Sequence, residues 1–261
     1  MNSRMFAIAG AAICAFVLNS PAGTYNYSFS GSGNWDAPSR WQENGHPETS
    51  ADTVRIGSGT VLVSDGDLDI LKTVGTVVLE QSDTVLVISN DNELALSTYI
   101  AGDGRVVKEG VGTLTVDAAN KDSQKYPLSN PGGWDVQRGD LAIDNPGALS
   151  TVRIAIPLAV HSPGRIVFST STLAASELQI RSLDGDGTLV NGSDVARQIN
   201  FYTTPGTSKK CVFSGTAVGS FKYKCASSAV QYFQVQAAQL STKLQICTVD
   251  FSVRTSFLPP A

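Results

Sequence analysis

The stretch Ala101-Gly102-Asp103-Gly104-Arg105-Val106-Val107-Lys108-Glu109-Gly110 has a counterpart in Asp184-Gly185-Asp186-Gly187-Thr188-Leu189-Val190-Asn191-Gly192. The shared pattern is G-D-G-x-(L/V)-V, offset by 83 residues (Gly102 to Gly185). A β-solenoid stacks coils of a few short strands on a weak repeat of about 20 residues, so the offset corresponds to about four coils. A sandwich or barrel expects evenly sized strands joined by hairpins instead. The internal match favours the solenoid.

Working outward from this stretch, the same material recurs. Thr53-Val54-Arg55-Ile56, Thr60-Val61-Leu62-Val63, Thr76-Val77-Val78-Leu79 and Asp83-Thr84-Val85-Leu86-Val87-Ile88 precede it. Gly112-Thr113-Leu114-Thr115-Val116, Thr151-Val152-Arg153-Ile154 and Arg165-Ile166-Val167-Phe168 follow. Each run is β-branched, alternates with period two and is bounded by Gly, Asp or Asn, which predicts strands. No window of a dozen residues keeps a 3.6-residue period, and Ser171 to Glu177 is one helical turn at most.

Composition agrees. The 261 residues are 42% hydrophobic and 16% charged, with 24 Gly, 2 His, 4 Cys and a net charge of −4. So little charge excludes a coiled coil, and ordinary apolar content excludes classical disorder. No basic excess exists to neutralise phosphates, which argues against a nucleic-acid partner. Two histidines and scattered cysteines argue against a metal-dense enzyme, and no cofactor is expected.

Residues 1–22 read as a cleaved secretory signal: Arg4, an apolar run from Met5 to Leu18, then Ser20-Pro21-Ala22. The run is shorter than the ~20 residues a membrane helix needs, so no span is expected in the mature chain. Removing it takes Cys14 and leaves Cys211, Cys225 and Cys247. In an oxidising compartment, one disulfide and one spare thiol are the simplest account. The segment from Lys210 to Cys225 is expected to fold as a hairpin about Val218, placing Cys211 opposite Cys225 and Phe213 opposite Tyr223. Cys247 is then buried or free for an intermolecular bond.

Residues 101–149 resemble the passenger-associated repeat of bacterial autotransporters. The matching positions are Gly102, Gly104, Val106, Lys108, Gly110, Gly112, Thr113, Leu114, Thr115, Val116, Asn120, Tyr126, Gly132, Gly133, Gly139, Leu141, Ala148 and Leu149. Upstream, Gly33-Asn34-Trp35, Trp41, Pro47 and Ala51-Asp52-Thr53-Val54-Arg55-Ile56 are similar to the segment that often precedes such repeats. The likeness covers about residues 25–192. It implies a right-handed parallel β-helix, exported and surface-associated. Two departures stand out. The residues after Asn191 are too few for the family's C-terminal membrane barrel, and Lys121-Asp122-Ser123-Gln124-Lys125 reads as a solvent-facing insertion.

The expected organisation is all-β: signal peptide 1–22, N-terminal cap 23–51, β-solenoid 52–195 and an antiparallel β-module 196–261. Tyr25, Tyr27, Phe29, Trp35 and Trp41 are assigned to the cap, because an open solenoid end exposes apolar surface and unpaired edges; their alternative is a sugar-stacking platform. The tail assignment rests on Val230 to Ala237 and Lys243 to Val253, which read as two-faced strands. Thr203 to Ser208 is the expected linker.

Few residues point to chemistry. Asp65-Gly66-Asp67-Leu68-Asp69 is a candidate calcium site if its carboxylates share one strand face, although Ile70 and Thr76 stand where an EF-hand loop needs Gly and Glu. Asp91 with Glu93, and Asp184 with Asp186, allow the same two readings, calcium site or solvated face. His46 and His161 lie in no G-x-S-x-G or H-E-x-x-H context and read as structural. Asn26-Tyr27-Ser28 and Asn191-Gly192-Ser193 fit N-glycosylation acceptors in a eukaryotic host. The expectation is a secreted or cell-surface structural or adhesive β-solenoid, not an enzyme, whose partner is an extracellular glycan or a cell-surface protein. The alternatives are a polysaccharide-active enzyme or carbohydrate-binding module on the same scaffold, and a filament subunit associating through the solenoid ends or Cys247.

Overall fold

In Thr53-Val54-Arg55-Ile56 the alternation buries Val54 and Ile56 and leaves Arg55 exposed, and this pattern builds the molecule. The computed structural model describes residues 26–27, 33–37, 41, 53–117, 130–144, 151–168, 177–192, 197–201, 213–219, 221–225 and 246–247. The first part of the chain forms β1 (Asn26–Tyr27), β2 (Gly33–Asn34), β3 (Thr53–Ile56), β4 (Thr60–Val63), helix α1 (Leu68–Thr73), β5 (Thr76–Leu79), β6 (Val85–Ser89), β7 (Leu94–Leu96), β8 (Tyr99–Gly102), β9 (Arg105–Glu109) and β10 (Thr113–Asp117). The rest forms β11 (Trp134–Val136), β12 (Asp140–Asp144), β13 (Thr151–Val160), β14 (Arg165–Phe168), β15 (Glu177–Gly185), β16 (Thr188–Asn191), β17 (Arg197–Phe201), β18 (Thr216–Val218), β19 (Phe221–Cys225) and β20 (Ile246–Cys247).

These strands make three parallel sheets. Sheet 1 has the order β1-β3-β5-β8, sheet 2 the order β2-β4-β6-β9-β11-β13-β15-β17-β19-β20, and sheet 3 the order β18-β16-β14-β12-β10-β7. Consecutive strands in the chain sit in different sheets, while strands one coil apart are hydrogen-bonded neighbours, so the fold is a parallel β-solenoid. Rungs recur after 20 residues at the shortest (Leu94 beside Leu114) and 29 at the longest (Asn26 beside Arg55).

The core is a set of stacked columns. In sheet 2, Val61, Leu86, Val106, Trp134, Leu158 and Leu183 lie in register and are all buried. Sheet 3 contributes Leu94, Leu114, Leu141, Ile166 and Leu189. Each buried Leu or Val contributes about 1.5–3 kcal/mol by leaving water, yet only when the rung above and the rung below cover it.

Corners let the rungs approach. Gly110 has φ +76° and stands so close to the rung beneath that a Cβ would lie 2.2 Å from the Asn90 carbonyl oxygen. Gly102 and Gly185 are the first glycines of the matched G-D-G motifs, and both have positive φ (+92° and +108°). Their corners differ, however. The first motif joins β8 of sheet 1 to β9 of sheet 2, whereas the second joins β15 of sheet 2 to β16 of sheet 3. The 83-residue offset is therefore not a whole number of coils; one turn chemistry serves two corners.

Two expectations are corrected. The strands described after residue 196 do not form an antiparallel module: β17, β18, β19 and β20 all pair parallel and continue sheets 2 and 3, while Val230 to Ala237 and all of Lys243 to Val253 but Ile246–Cys247 lie outside the described residues. The hairpin about Val218 is absent too, since β18 belongs to sheet 3 and β19 to sheet 2, so Gly219 (φ +94°) is a corner between sheets. Phe213 bridges to Gly185 in parallel and does not face Tyr223. Period-two alternation says which side of a strand is buried, not which way its neighbour runs. Short α1 was not expected. At the other end, Trp35 and Trp41 are buried and meet edge to face with centroids 5.1 Å apart, and the Trp41 indole N–H donates to the Trp35 carbonyl at 2.8 Å. They are core residues, which removes them as a sugar platform. Tyr25 and Phe29 lie outside the described residues, as do residues 1–22.

Gly110→Ala is expected to destabilise the chain by about 2–4 kcal/mol, combining left-handed strain with a backbone clash. Gly66→Ala, where nothing lies within 4 Å of the added methyl, should stay within about 0.5 kcal/mol. Urea unfolding of both variants checks the contrast.

Candidate functional site

Outward positions on sheet 2 change chemistry along the solenoid. Leu62, Val87 and Val107 occupy one outward column over the early rungs, and Asp135, Ala159 and Asp184 continue it in register. The next outward positions on β11, β13 and β15 carry Gln137, His161 and Asp186. Three rungs thus present Asp135 with Gln137, Ala159 with His161, and Asp184 with Asp186. β11, β13 and β15 hold them on one face near the turns leading into sheet 3.

The contacts are specific. His161 Nε2 lies 3.5 Å from Asp135 Oδ1, and its Nδ1 lies 3.7 Å from Asp186 Oδ1. Gln137 Nε2 donates to Asp135 Oδ1 at 2.8 Å, and the Ser162 amide donates to Asp186 Oδ1 at 3.0 Å. Each carboxylate is therefore placed by a donor of its own, and the imidazole stands between them, 44% exposed. Ala159 leaves a small floor between Asp135 and Asp184, whose Cα atoms are two strand spacings apart, about 9.6 Å. Beside this face, Arg165 forms a two-pronged pair with Asp140, Nε to Oδ1 at 2.6 Å and Nη2 to Oδ2 at 2.5 Å. That bond raises the pKa of the guanidinium.

Among the described residues, Lys108 is a charged side chain held fully inside the stack. Register places it between Ile88 and Val136, and it is fully buried. Its ammonium donates to the carbonyls of Glu109 (2.6 Å), Gly110 (3.0 Å) and Arg138 (3.2 Å) at the corner between sheets 2 and 3. Burial lowers its pKa from 10.5 to about 8, while the carboxylates of Asp140, Asp91 and Glu109 pull the other way. This lysine stitches two rungs at a glycine corner, adding a donor to the Glu109 carbonyl, which also accepts the Asn90 amide at 3.3 Å.

The candidates read from sequence are placed as follows. Asp65 and Asp67 lie in a turn and Asp69 in the first turn of α1, so they share no strand face. Asp65 Oδ1 accepts the Asp91 amide at 3.1 Å, Asp67 stands at the helix N-cap position, and Asp69 pairs with Lys72 at 2.6 Å. Among the described residues no group of three or more His, Cys, Asp or Glu is arranged to hold a metal ion. Asn191 ends β16 with a buried side chain. Asn26 pairs with Arg55 in sheet 1. Cys211 and His46 lie outside the described residues. Cys225 and Cys247 stand on neighbouring strands, with Lys224 in register with Cys247, and are not at disulfide distance. Sequence alone gives His161 a structural role and singles out nothing at Asp135, whereas the structure brings the two together. The signal was a pair of positions, i and i+2, recurring at 135, 159 and 184.

Set against models of protein families, curated proteins and solved structures, the chain matches none. Among the described residues no helix is long and apolar enough to cross a membrane.

The lowered pKa of Lys108 makes a signed prediction. Between about pH 8 and 10.5 the unfolded chain holds this proton and the folded chain does not, so the lysine's contribution to stability rises with pH across that window. Below about pH 8 the cost of the buried charge is present in full. The stability difference between the wild type and Lys108→Met should therefore shift in the wild type's favour from pH 8 to 10.5. Paired urea titrations would show no such shift if the amine were freely hydrated.

Proposed function

We propose that this chain is a secreted or surface-associated β-solenoid with a structural or adhesive role, of the kind that the autotransporter-like repeat implies, and that it is not a catalyst. The observation that carries this reading is the outward face of β11, β13 and β15. There, polar groups are held at strand spacing on a stacked core, a rigid array suited to an extended partner. The partner class is an extracellular glycan, or the loops of a cell-surface protein, whose hydroxyl and amide groups meet Asp135, Gln137, His161 and Asp186. The carboxylates of Asp135 and Asp186 are each engaged by a neighbour, and the imidazole occupies the space between them, which supports binding over hydrolysis. The export signal read in residues 1–22 supports the location.

One observation favours a second reading. Asp135 and Asp184 flank Ala159 on the same face, and inverting glycosidases work with a pair of carboxyl groups ~6.5–9.5 Å apart. A polysaccharide-active enzyme is therefore the alternative.

A glycan array followed by reducing-end assays on the bound glycans separates the two. The adhesive reading expects retention without bond cleavage, with binding weakened roughly tenfold or more by His161→Ala/Asp186→Ala, about the loss of 1.4 kcal/mol. Release of reducing ends that disappears in Asp135→Asn would establish the enzyme instead.

A further inference from the structure

The polar face of β11, β13 and β15 belongs to a longer row. Ile88, Lys108, Val136 and Val160 point inward and are buried, so the residue after each turns outward at the corner where sheet 2 gives way to sheet 3. Register aligns Ser89, Glu109, Gln137, His161 and Asp186 in this way on five successive rungs. Backbone bonds continue the match: the Gln137 amide donates to the Lys108 carbonyl at 3.0 Å, and the His161 amide to the Val136 carbonyl at 2.8 Å. Four rung spacings make a row about 19 Å long. Glu109 and Asp186 are exposed and the other three partly so, whereas Val87 and Val107 in the neighbouring outward column are buried. The open track is therefore the row beside the corner. Carboxylates at Asp91, Glu109, Asp135, Asp184 and Asp186 lie within two positions of it, against Arg138, His161 and the buried Lys108, so the row repels a polyanion.

We propose that this row is the binding track for a linear, uncharged glycan of β-1,4-linked pyranose units, lying along the solenoid axis with one sugar to each rung. The proposal rests on the adhesive reading and adds Ser89 and Glu109 to its face. A β-1,4 chain is nearly straight and advances by about one rung spacing per sugar, and every sugar carries hydroxyls along both edges. Each rung then meets a hydroxyl whichever way the ring is flipped: Glu109 and Asp186 accept, Gln137 donates and accepts, and Ser89 and His161 do either. A peptide strand on the same track falls out of step, because it turns a side chain towards the face only every second residue, about 6.8 Å, against rungs about 4.8 Å apart. An α-1,4 chain coils away from a straight row. The excess of carboxylates selects an uncharged polymer over a uronate.

Isothermal titration calorimetry of the full chain with β-1,4 oligomers of glucose and of N-acetylglucosamine, from dimer to hexamer, tests it. Affinity is expected to rise roughly threefold or more per sugar as far as the pentamer, the worth of one net hydrogen bond, and then to level off. Ser89→Ala/Glu109→Ala should leave the trimer's affinity unchanged and weaken the pentamer roughly tenfold, since two rungs lose their contacts. Unchanged trimer binding also shows that the variant is folded. The α-1,4 glucose hexamer should bind at least roughly tenfold more weakly than its β-1,4 counterpart. A pentamer no tighter than the trimer, a pentamer indifferent to Ser89→Ala/Glu109→Ala, or equal affinity for the α-1,4 hexamer overturns the track. If a glycan array retains some other glycan while neither β-1,4 series binds, this proposal alone falls; if the array retains none, the adhesive reading falls with it.

Discussion

Everything in this molecule depends on one constraint: the same inward position must be filled by a fitting side chain at every strand spacing of about 4.8 Å. Val61, Leu86, Val106, Trp134, Leu158 and Leu183 meet it in sheet 2. None of these residues is covered by its own coil, so each rung's burial is its neighbours' burial as well. Corners must then bring backbone against backbone, which is why glycine with positive φ stands at Gly102, Gly110 and Gly185. Lys108 is the exception that shows how strict the constraint is. A charged residue enters the column only because its stem packs like an aliphatic chain and its amine reaches three corner carbonyls.

The strands were legible because β-branched alternation and glycine boundaries report burial directly, and burial is what the fold demands. Thr53–Ile56 and Arg165–Phe168 need nothing else to be recognised. Direction was not legible. Phe221–Cys225 alternates equally well in a hairpin or in a parallel rung, and only its pairing with Arg197–Phe201 decides between them. Glycines near Val218 misled for the same reason: a corner between sheets and a hairpin turn ask for the same backbone freedom. Leu68–Thr73 was hidden by brevity, since six residues span less than two helical turns and leave too little periodicity to detect.

The outward face was partly legible. His161, Asp184 and Asp186 were visible as polar residues beside strands, but their convergence with Asp135 arises from coil spacing, which varies from rung to rung. A reader of sequence cannot align position 135 with 159 and 184 until the pairing of Trp134 with Leu158, and of Leu158 with Leu183, is known. For Asp65, Asp67 and Asp69 the opposite holds: alternation in the sequence suggests one strand face, and local helix formation disperses the carboxylates over a turn and α1.

A solenoid separates its two tasks by side. Inward positions are committed to stacking, while the outward column changes from the buried Val87 and Val107 on the early rungs to the polar Asp135 and Asp184 further along. Asp135 and His161 illustrate the consequence, for each sits next to a buried strand residue (Trp134 and Val160) that fixes its backbone. Positional precision on the outside is thus inherited from tightness on the inside. Catalysis would demand more than that inheritance, namely water exclusion and groups left available to a substrate. Recognition of an extended polymer demands only that the spacing persist from rung to rung, which the core already enforces.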